Sequence, residues 1–223
     1  MIKIAIDGPS GAGKGVLAKA LSAKLGYVYV DTGALYRAIG LHFHRCGSDG
    51  SDVARIASEV AGVEVDIAYE NGEQQVYLKG ENVSSQIRLP EISMMASAVS
   101  KIPEVRAHLL ELQRGMAERH NVIMDGRDIG TVILPDANVK IFLTASPEAR
   151  AERRYKELIE KGIDTSYEEV LADMKQRDEN DRSRDIAPAI PAEDAVTLDN
   201  SKLDIPGTIQ AALAIIREKV GEV

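Results

Sequence analysis

Two kinds of apolar segment alternate along the chain. The first kind is short and rich in β-branched residues, which is typical of strands buried on both faces of a sheet. Five such runs occur, at residues 2–6, 27–30, 122–124, 139–143 and 196–198. The second kind is longer and has apolar residues at helical spacing, at residues 14–25, 34–46, 103–119, 147–161, 167–181 and 206–219. This alternation predicts an α/β fold, with a parallel sheet covered by helices on both faces.

One stretch departs from the alternation. Apolar and polar residues alternate at residues 63–67, Asn71-Gly72 follows as a turn, and a second apolar run at 76–78 ends at Lys79-Gly80. Alternation with a period of two between glycine-containing turns is typical of antiparallel strands. We therefore expect a small antiparallel insertion at roughly residues 63–90, with Pro90 opening the next helix.

Composition and charge narrow the class of protein. With 44% hydrophobic and 28% charged residues, the chain is an ordinary globular sequence, and 223 residues suffice for one fairly large domain. Its 35 acidic residues against 27 basic ones give a net charge of −8, so the field of the whole molecule repels polyanions. Seven Tyr, two Phe and no Trp leave little material for stacking on nucleic-acid bases. We therefore expect neither a nucleic-acid polymer nor a membrane as a partner, and any anionic ligand must be held locally.

The start of the chain and its cysteine favour the cytoplasm. Cys46 is the sole cysteine and cannot form an internal disulfide, while the start at Met1 lacks the basic stretch and apolar run of a signal peptide. No apolar run approaches the roughly 18 residues of a membrane span. His42 and His44 are two residues apart on a predicted helix and make a poor metal pair, so we expect no zinc site. A monomer is the default expectation.

A glycine-rich motif follows the first predicted strand directly and precedes a predicted helix. It reads Gly8-Pro9-Ser10-Gly11-Ala12-Gly13-Lys14-Gly15, which is the spacing of a phosphate-binding loop. Glycines let successive backbone N–H groups face phosphate oxygens, the helix offers its positive N-terminal end, and Lys14 supplies a mobile charge for the β and γ phosphates. A glycine-rich turn without a ligand is the weaker interpretation, because Lys14 and both flanking elements fit the motif.

The motif departs from the general pattern at Gly15, where a Ser or Thr would place a hydroxyl on Mg²⁺. Asp125 closes a predicted core strand and could orient the waters of a Mg²⁺ that bridges nucleotide phosphates, because Mg²⁺ dehydrates reluctantly. A helix cap is the alternative role for this residue. Lys14 and Mg²⁺ together suit charge stabilisation in phosphoryl transfer. The chain lacks the Asn-Lys-x-Asp motif of GTPase switches, which favours a small-molecule kinase.

Basic residues from three segments are candidates for holding the acceptor. Arg37 and Arg127 follow predicted strands, at whose C-terminal ends ligands of α/β sheets bind. Arg177, Asp181 and Arg184 follow a spacing of i, i+4 and i+7, which predicts one face of a late helix. The three arginines at 37, 127 and 184 could bind an acceptor phosphate bidentately, whereas Arg177 and Asp181 could hold ribose hydroxyls. A surface ion pair is the alternative for each of them.

Four stretches form an ordered set along the chain. They are IDGPSGAGKG, DTGALYR, DGRDIGTVILPDANVKIFLTAS and RDENDRSRDIAP. Together they resemble the bacterial type of cytidylate kinase, a P-loop nucleoside monophosphate kinase, and the resemblance covers essentially the whole chain. It implies that ATP phosphorylates CMP or dCMP with Mg²⁺, on a five-stranded parallel core with a nucleotide-binding insertion and a mobile lid. We expect a single domain of residues 1–223, with the insertion at about 63–90 and the lid at about 147–165.

The resemblance implies a role for each matching residue. ATP binding is assigned to Gly8, Pro9, Ser10, Gly11, Ala12, Gly13, Lys14, Gly15 and Val16. CMP binding is assigned to Ser97, Arg106 and Asp128 for cytosine, to Arg177 and Asp181 for ribose, and to Thr32, Arg37, Arg127 and Arg184 for phosphate. An arginine donates to N3 and O2 of cytosine, while Asp128 and Ser97 accept from the N4 amino group of the base. Uracil presents an N3–H to the arginine and an O4 acceptor to Asp128, so these polar atoms would be left unpaired.

Catalysis is assigned to Lys14, Asp125 and Arg127, joined by a lid arginine. Arg150, Arg153 and Arg154 lie on the predicted lid helix, and of these Arg153 or Arg154 is the stronger candidate for reaching the transferring phosphoryl group. An exposed helix laced with Arg and Glu is the alternative for this segment.

Two positions depart from the family pattern. Thr32 stands where Ser is frequent, and it keeps the hydroxyl but adds a methyl; Val16 stands where Thr is common, and it removes a hydroxyl. The leading alternatives to CMP are UMP, AMP or a small alcohol as acceptor. A non-catalytic nucleotide-binding switch is an alternative of a different class.

Overall fold

The computed structural model describes residues 1–70 and 72–221. The chain forms two compact units, one made of Met1–Tyr29 with His120–Val223 and the other made of Val30–Arg119. The strands are β1 (Lys3–Asp7), β2 (Val28–Asp31), β3 (Val65–Glu70), β4 (Glu73–Leu78), β5 (Glu81–Asn82), β6 (Val122–Asp125), β7 (Val139–Thr144) and β8 (Val196–Asp199). The helices are α1 (Lys14–Leu25), α2 (Thr32–Arg45), α3 (Val53–Glu59), α4 (Pro90–Val99), α5 (Pro103–Arg119), α6 (Pro147–Glu160), α7 (Tyr167–Ser183) and α8 (Ile205–Val220).

The first unit is built on a five-stranded sheet with the order β2-β6-β1-β7-β8. Strand β1 pairs in parallel with both β6 and β7, and β7 pairs in parallel with β8. The five strands predicted from the apolar runs are thus confirmed, each within one residue of its expected bounds. Because β1 is central, the loop that follows it lies in the middle of the C-terminal edge, where α/β folds place their ligands.

Apolar side chains on one face of the sheet hold helices α1 and α8 in place. Ile4 and Ile6 of β1 are fully buried, together with Leu17 and Leu21 of α1 and Ile216 of α8. Burying a side chain of this size contributes about 1.5–3 kcal/mol, so this cluster fixes α1 relative to β1. The predicted bounds of α1 are confirmed: the helix ends at Gly26, whose left-handed backbone lets its N–H donate to the carbonyl of Ser22 at 2.9 Å.

The second unit contains the predicted antiparallel insertion. Strands β3, β4 and β5 form a three-stranded sheet in that order, and Val76 and Leu78 of β4 join a buried cluster with residues of α2 such as Leu35 and Phe43. The second predicted turn is confirmed by the positive φ angles of Lys79 and Gly80. The first predicted turn falls partly on Asn71, which lies outside the described residues. Pro90 opens α4, as its position in the sequence predicts.

Helices α2 and α3 differ from the sequence expectation. Helix α3 is absent from the prediction because it is only seven residues long, which is shorter than the segments over which apolar periodicity identifies a helix. Helix α2 begins at Thr32, two residues earlier than predicted, since the carboxylate of Asp31 accepts a hydrogen bond from the N–H of Ala34 at 3.0 Å and caps the helix.

Across residues 1–70 and 72–221, no helix is both long enough and apolar enough to cross a membrane.

Gly8 is expected to be irreplaceable at the end of β1. Its φ is 146°, and a Cβ at this position would lie 1.9 Å from the carbonyl oxygen of Leu143 in β7. Gly8→Ala should therefore lower the free energy of unfolding by more than about 3 kcal/mol, measured by urea denaturation. Gly26→Ala is the matched control, because that glycine also has positive φ but a Cβ there meets nothing within 4 Å. It should cost about 1 kcal/mol. Equal losses in the two variants would contradict the steric explanation.

Candidate active site

The glycine-rich motif forms the loop between β1 and α1. Gly13 precedes α1 in a left-handed conformation and has no side chain with which to cap the helix, and the first turn of α1 holds no acidic residue. The positive end of the α1 dipole and its first N–H groups are therefore available to an anion. These are the features that the sequence predicts for a phosphate-binding loop.

Three side chains donate hydrogen bonds to carbonyl oxygens of this loop, one from the motif itself and two from elsewhere in the first unit. Lys14 Nζ donates to the carbonyl of Pro9 at 2.8 Å, Arg150 Nη1 donates to the carbonyl of Ser10 at 2.8 Å, and Asn200 Nδ2 donates to the carbonyl of Ala12 at 3.0 Å. Peptide carbonyl and N–H groups point in opposite directions, so fixing the carbonyls on one side orients the amides to the other. The loop is therefore preorganised as an anion-binding nest.

Lys14 is buried among charges of both signs. Its side chain is only 6% exposed. Burial, and then the neighbouring guanidinium of Arg127, lower the pKa of Lys14 to about 7, whereas Asp125, Asp7 and Asp181 act in the opposite direction. A more strongly negative group beside Lys14, such as a phosphate, would therefore favour the charged ammonium form and raise the pKa of Lys14.

Asp125 and Tyr29 lie next to the position where the general loop motif has a hydroxyl. Tyr29 Oη donates to Asp125 Oδ1 at 2.9 Å, and both residues are buried. A Cβ built on Gly15 would lie 3.3 Å from Tyr29 Oη, so the phenol occupies space beside the absent Ser or Thr side chain.

This part of the site fits a Mg²⁺ ion that is held through water. Mg²⁺ keeps several of its waters and binds through one or two carboxylates, and Asp125 supplies such a carboxylate and its negative charge. Within the described parts of the chain, no group of three or more His, Cys, Asp or Glu side chains could hold a metal on its own. Most of the ion's ligands would therefore come from water and from nucleotide phosphates.

Asp7 belongs to this cluster, and the sequence analysis did not single it out. Its carboxylate accepts hydrogen bonds from the N–H groups of Ile129 and Gly130, both at 2.7 Å. Burial raises the pKa of Asp7 to about 6, and these two hydrogen bonds partly oppose that rise. The sequence could have identified Asp7, because it is the last residue of an apolar strand in the same way that Asp125 is the last residue of β6.

A second group of charged residues lies beyond the end of β6. Arg127 Nε donates to Asp181 Oδ2 at 2.9 Å, and Arg184 Nη2 lies 3.9 Å from Asp128 Oδ1. Asp128 is buried and precedes a π-helical turn at Ile129–Ile133, which the sequence analysis did not predict. The structure thus brings together four of the predicted acceptor-site residues in two ion pairs.

One prediction about this group is wrong. Arg184 does not share a helix face with Arg177 and Asp181, because α7 ends at Ser183 and Arg184 has the extended backbone angles φ −68° and ψ 140°. Its side chain is held instead by the turn that follows, where Arg184 Nε donates to the carbonyl of Ala187 at 2.6 Å. Arg177 and Asp181 both lie on α7, as predicted.

The remaining predicted acceptor residues lie in the second unit. Thr32 is buried at the first position of α2. Arg37 lies on the second turn of this helix, not at a strand end as the sequence indicated, and Arg37 Nη1 is 3.6 Å from Asp31 Oδ2. Ser97 is half-buried on α4. Each of these residues is therefore fixed by a regular helix.

Arg106 is more constrained than a residue on a helix surface would be. It lies on α5, is half-buried, and its guanidinium carbon lies 5.8 Å from the centre of the Tyr36 ring. Its Nη1 also donates to the carbonyl of Ser100 at 3.4 Å. A cation held over an aromatic ring in this way has a restricted orientation.

The three arginines of α6 have different environments. Arg150 is 2% exposed, and beyond its bond to Ser10 it makes two hydrogen bonds to the carboxylate of Asp178 in α7, at 3.1 and 2.5 Å. Arg153 donates to the side-chain oxygen of Asn200 at 3.2 Å and to its backbone oxygen at 2.7 Å. Arg154 is exposed and pairs with Glu157 at 2.8 Å. The start of the predicted lid is therefore attached to the phosphate-binding loop through Arg150, the arginine that the sequence favoured least.

A cavity of about 160 Å³ opens beside the loop in the first unit. Its lining includes Pro9 of the loop, Thr144 at the end of β7, Arg150, and the α7 residues Asp178 and Asp181. It lies at the C-terminal end of a central strand, where the sheet topology predicts a ligand crevice.

Comparisons with known proteins point to one family. The sequence model described as "Cytidylate kinase" matches residues 4–218. The protein named cytidylate kinase from Caldicellulosiruptor saccharolyticus is 48% identical over 99% of this chain and 97% of its own length. The one from Mannheimia succiniciproducens is 46% identical over 98% of this chain and 97% of its own length. The crystal structure of shikimate kinase from Bacteroides thetaiotaomicron matches with a TM-score of 0.50 at 16% identity, covering 97% of this chain and 98% of that one. That structural likeness shows a shared fold alone.

Arg150→Met is expected to destabilise the protein strongly. The substitution leaves the Asp178 carboxylate and the carbonyl of Ser10 without the donor that satisfies them, so the free energy of unfolding should fall by about 3 kcal/mol or more. Arg154→Met on the same helix is the control, because that pair is solvent-exposed and should contribute less than about 1 kcal/mol. Denaturation in urea measures both values. Similar losses for the two variants would show that the Arg150 network is not a stabilising anchor.

Proposed function

The chain belongs to the cytidylate kinase family, and from this premise we propose that it transfers the γ-phosphoryl group of ATP to CMP or dCMP, giving ADP and CDP or dCDP. The observation that carries the proposal is the preorganised loop at the end of β1, with Lys14 buried in it, in a chain that the family pattern matches from residue 4 to residue 218. A phosphate-binding loop alone would fit many nucleotide-binding proteins.

The donor nucleotide is proposed to bind along Gly8 to Val16. Backbone amides of the loop face its phosphate oxygens, and the α1 dipole adds favourable charge. Lys14 stays close to the β and γ phosphates, where its charge opposes the negative charge of the transition state. Val16 is 52% exposed and contributes its backbone N–H, so the absence of a hydroxyl there removes one contact without disturbing the loop.

Mg²⁺ is proposed to bind with ATP, and when bound it neutralises charge on the β and γ phosphates. Asp125 is the residue of this chain that would orient the waters of the ion. Its hydrogen bond from Tyr29 fixes the direction of the carboxylate before the nucleotide arrives. The protein's part in metal binding is therefore to position one carboxylate, not to form a closed cage.

The acceptor phosphate is proposed to bind Thr32, Arg37, Arg127 and Arg184. In the structure each of these arginines has a carboxylate nearby: Asp31, Asp181 and Asp128, respectively. These carboxylates hold the planar guanidinium groups in defined orientations. The arginine side chains therefore lose less conformational entropy when they bind an acceptor phosphate.

The cytosine base is proposed to bind Ser97, Arg106 and Asp128, and the ribose to bind Arg177 and Asp181. Arg106 would donate to the ring acceptors, and its stacking on Tyr36 restricts the directions in which it can do so. Asp128 is buried, so an unpaired contact with the O4 of uracil would be unfavourable there. This arrangement favours cytosine over uracil.

The transfer is proposed to be direct and in line, without a covalent intermediate on the protein. The attacking oxygen of CMP is already anionic at neutral pH, so no general base is required. Catalysis then consists of positioning and charge stabilisation by Lys14 and Arg127, and closure of Arg153 or Arg154 over the site would exclude water. Membership of the family does not favour the alternative acceptors or a non-catalytic switch.

An acceptor panel tests this function. CMP or dCMP should be phosphorylated faster than UMP, AMP or small alcohols, and the two diphosphate products should form in equal amounts in a coupled assay with chromatographic product analysis. Lys14→Ala should lower turnover by about 100-fold or more with every acceptor, which verifies that the measured activity belongs to this site. If UMP or AMP is used faster than both CMP and dCMP, or if ATP is hydrolysed without regard to acceptor, the proposed function is wrong.

Binding of ATP is expected to draw a proton onto the protein. Because the pKa of Lys14 is lowered to about 7, much of the free protein carries a neutral amine at about pH 8. The triphosphate raises this pKa, so proton uptake should be largest near pH 8 and should vanish near pH 6, where the amine is already charged. Isothermal titration calorimetry in two buffers of different ionisation enthalpy measures the uptake. Identical heats in both buffers at pH 8, or unchanged uptake in Lys14→Met, would contradict the assignment.

A further inference from the structure

We propose that Asp7 is a positioning residue for the base-reading segment around Asp128, and that its carboxylate sets the preference for cytosine without touching the acceptor. The inference rests on the proposed function, because it concerns how Asp128 is held for its part in that reaction. Asp7 closes β1 directly before the phosphate-binding loop, and its partners lie more than 120 residues later in the chain.

The contact that carries the inference is a double hydrogen bond. Asp7 Oδ1 accepts from the N–H of Ile129 at 2.7 Å, and Asp7 Oδ2 accepts from the N–H of Gly130 at 2.7 Å. Ile129 and Gly130 immediately follow Asp128 and begin the π-helical turn at Ile129–Ile133. Each oxygen of one buried carboxylate thus fixes one amide of this turn.

The position of Gly130 provides a second observation. A Cβ at this residue would lie 3.3 Å from Asp7 Oδ2 and 3.0 Å from the Lys140 side chain. The backbone therefore approaches the carboxylate so closely that a side chain would crowd the contact. The hydrogen bonds from the turn and the close packing of Gly130 thus both fix the turn against the Asp7 carboxylate.

Only an ionised carboxylate can make both bonds well. An asparagine at position 7 would have one acceptor oxygen, and its –NH₂ group would face the second N–H as donor against donor. One amide of the turn would then lose its partner in a buried location, which is costly enough to displace the segment. Asp128 is the residue directly before these amides, so a displacement there moves the side chain proposed to accept from the cytosine amino group.

The decisive measurement is the ratio of kcat/KM for CMP to kcat/KM for UMP at saturating ATP. A general loss of folded protein or of ATP binding affects both acceptors equally and cancels in the ratio, whereas a misplaced Asp128 does not. We expect Asp7→Asn to lower this ratio about tenfold or more, because small misplacements of a recognition group have large kinetic effects.

Two further variants make the test independent of the charge and folding of Asp7→Asn. Gly130→Ala keeps the Asp7 carboxylate and disturbs the contact from the other side, so it should also lower the ratio. Asp204→Asn is the control, because Asp204 also accepts from a backbone N–H, that of Gly207 at 2.7 Å, but an asparagine oxygen can replace this single bond at the start of α8. Its ratio should equal that of the unchanged protein.

The outcomes are distinguishable. If Asp7→Asn and Gly130→Ala are both folded by circular dichroism and keep the original ratio, the positioning role is wrong while the proposed function stands. If Asp7→Asn does not fold, Gly130→Ala alone decides between the two results. If the unchanged protein shows no preference for CMP over UMP, the proposed function itself has failed, whatever the variants do.

Discussion

A buried ammonium group is the constraint around which the first unit is organised. Lys14 must carry a positive charge to meet phosphates, yet it lies almost fully out of solvent, where an isolated charge is unfavourable. The protein compensates with three carboxylates, those of Asp7, Asp125 and Asp181, which favour the charged form of the lysine. Each carboxylate has its own support, from backbone amides, from Tyr29 and from Arg127 respectively.

This arrangement connects the donor side to residues assigned to the acceptor. Arg127 disfavours the charged lysine and at the same time pairs with Asp181. Asp7 is adjacent in sequence to the phosphate-binding loop and holds the amides next to Asp128. A change at any of these groups therefore alters the electrostatic environment of the loop, so the residues of this cluster are expected to act as a unit in kinetics and not additively.

The sequence predicted those parts of the structure that depend on local pattern. The five strands follow from short apolar runs rich in β-branched residues, and helices such as α1 and α5 follow from apolar periodicity. Lys14 was predictable because the loop motif requires a lysine between a strand and a helix. Helix α3 was missed because its seven residues make fewer than two full helical turns, too short a segment for a repeat to identify a helix.

Contacts between distant residues were beyond this kind of reasoning. Arg150 looked like its neighbours Arg153 and Arg154 on an Arg-rich helix, and nothing local distinguishes the one that becomes buried against Ser10 and Asp178. Arg184 fitted a helical spacing, but the helix ends one residue before it. In both cases the deciding information lies in a partner far along the chain, so a pattern within one segment does not contain it.

The central place of β1 in the sheet has a consequence for biosynthesis. The glycine-rich motif at residues 8–15 is translated well before both neighbours of β1, the strands that start at Val122 and Val139. The segment Val30–Arg119 emerges in one piece between them. While the residues between the motif and Val122 are being added, the nascent polypeptide therefore carries the motif without the sheet that shapes it. The capacity to hold a nucleotide arises only after both neighbouring strands have been made.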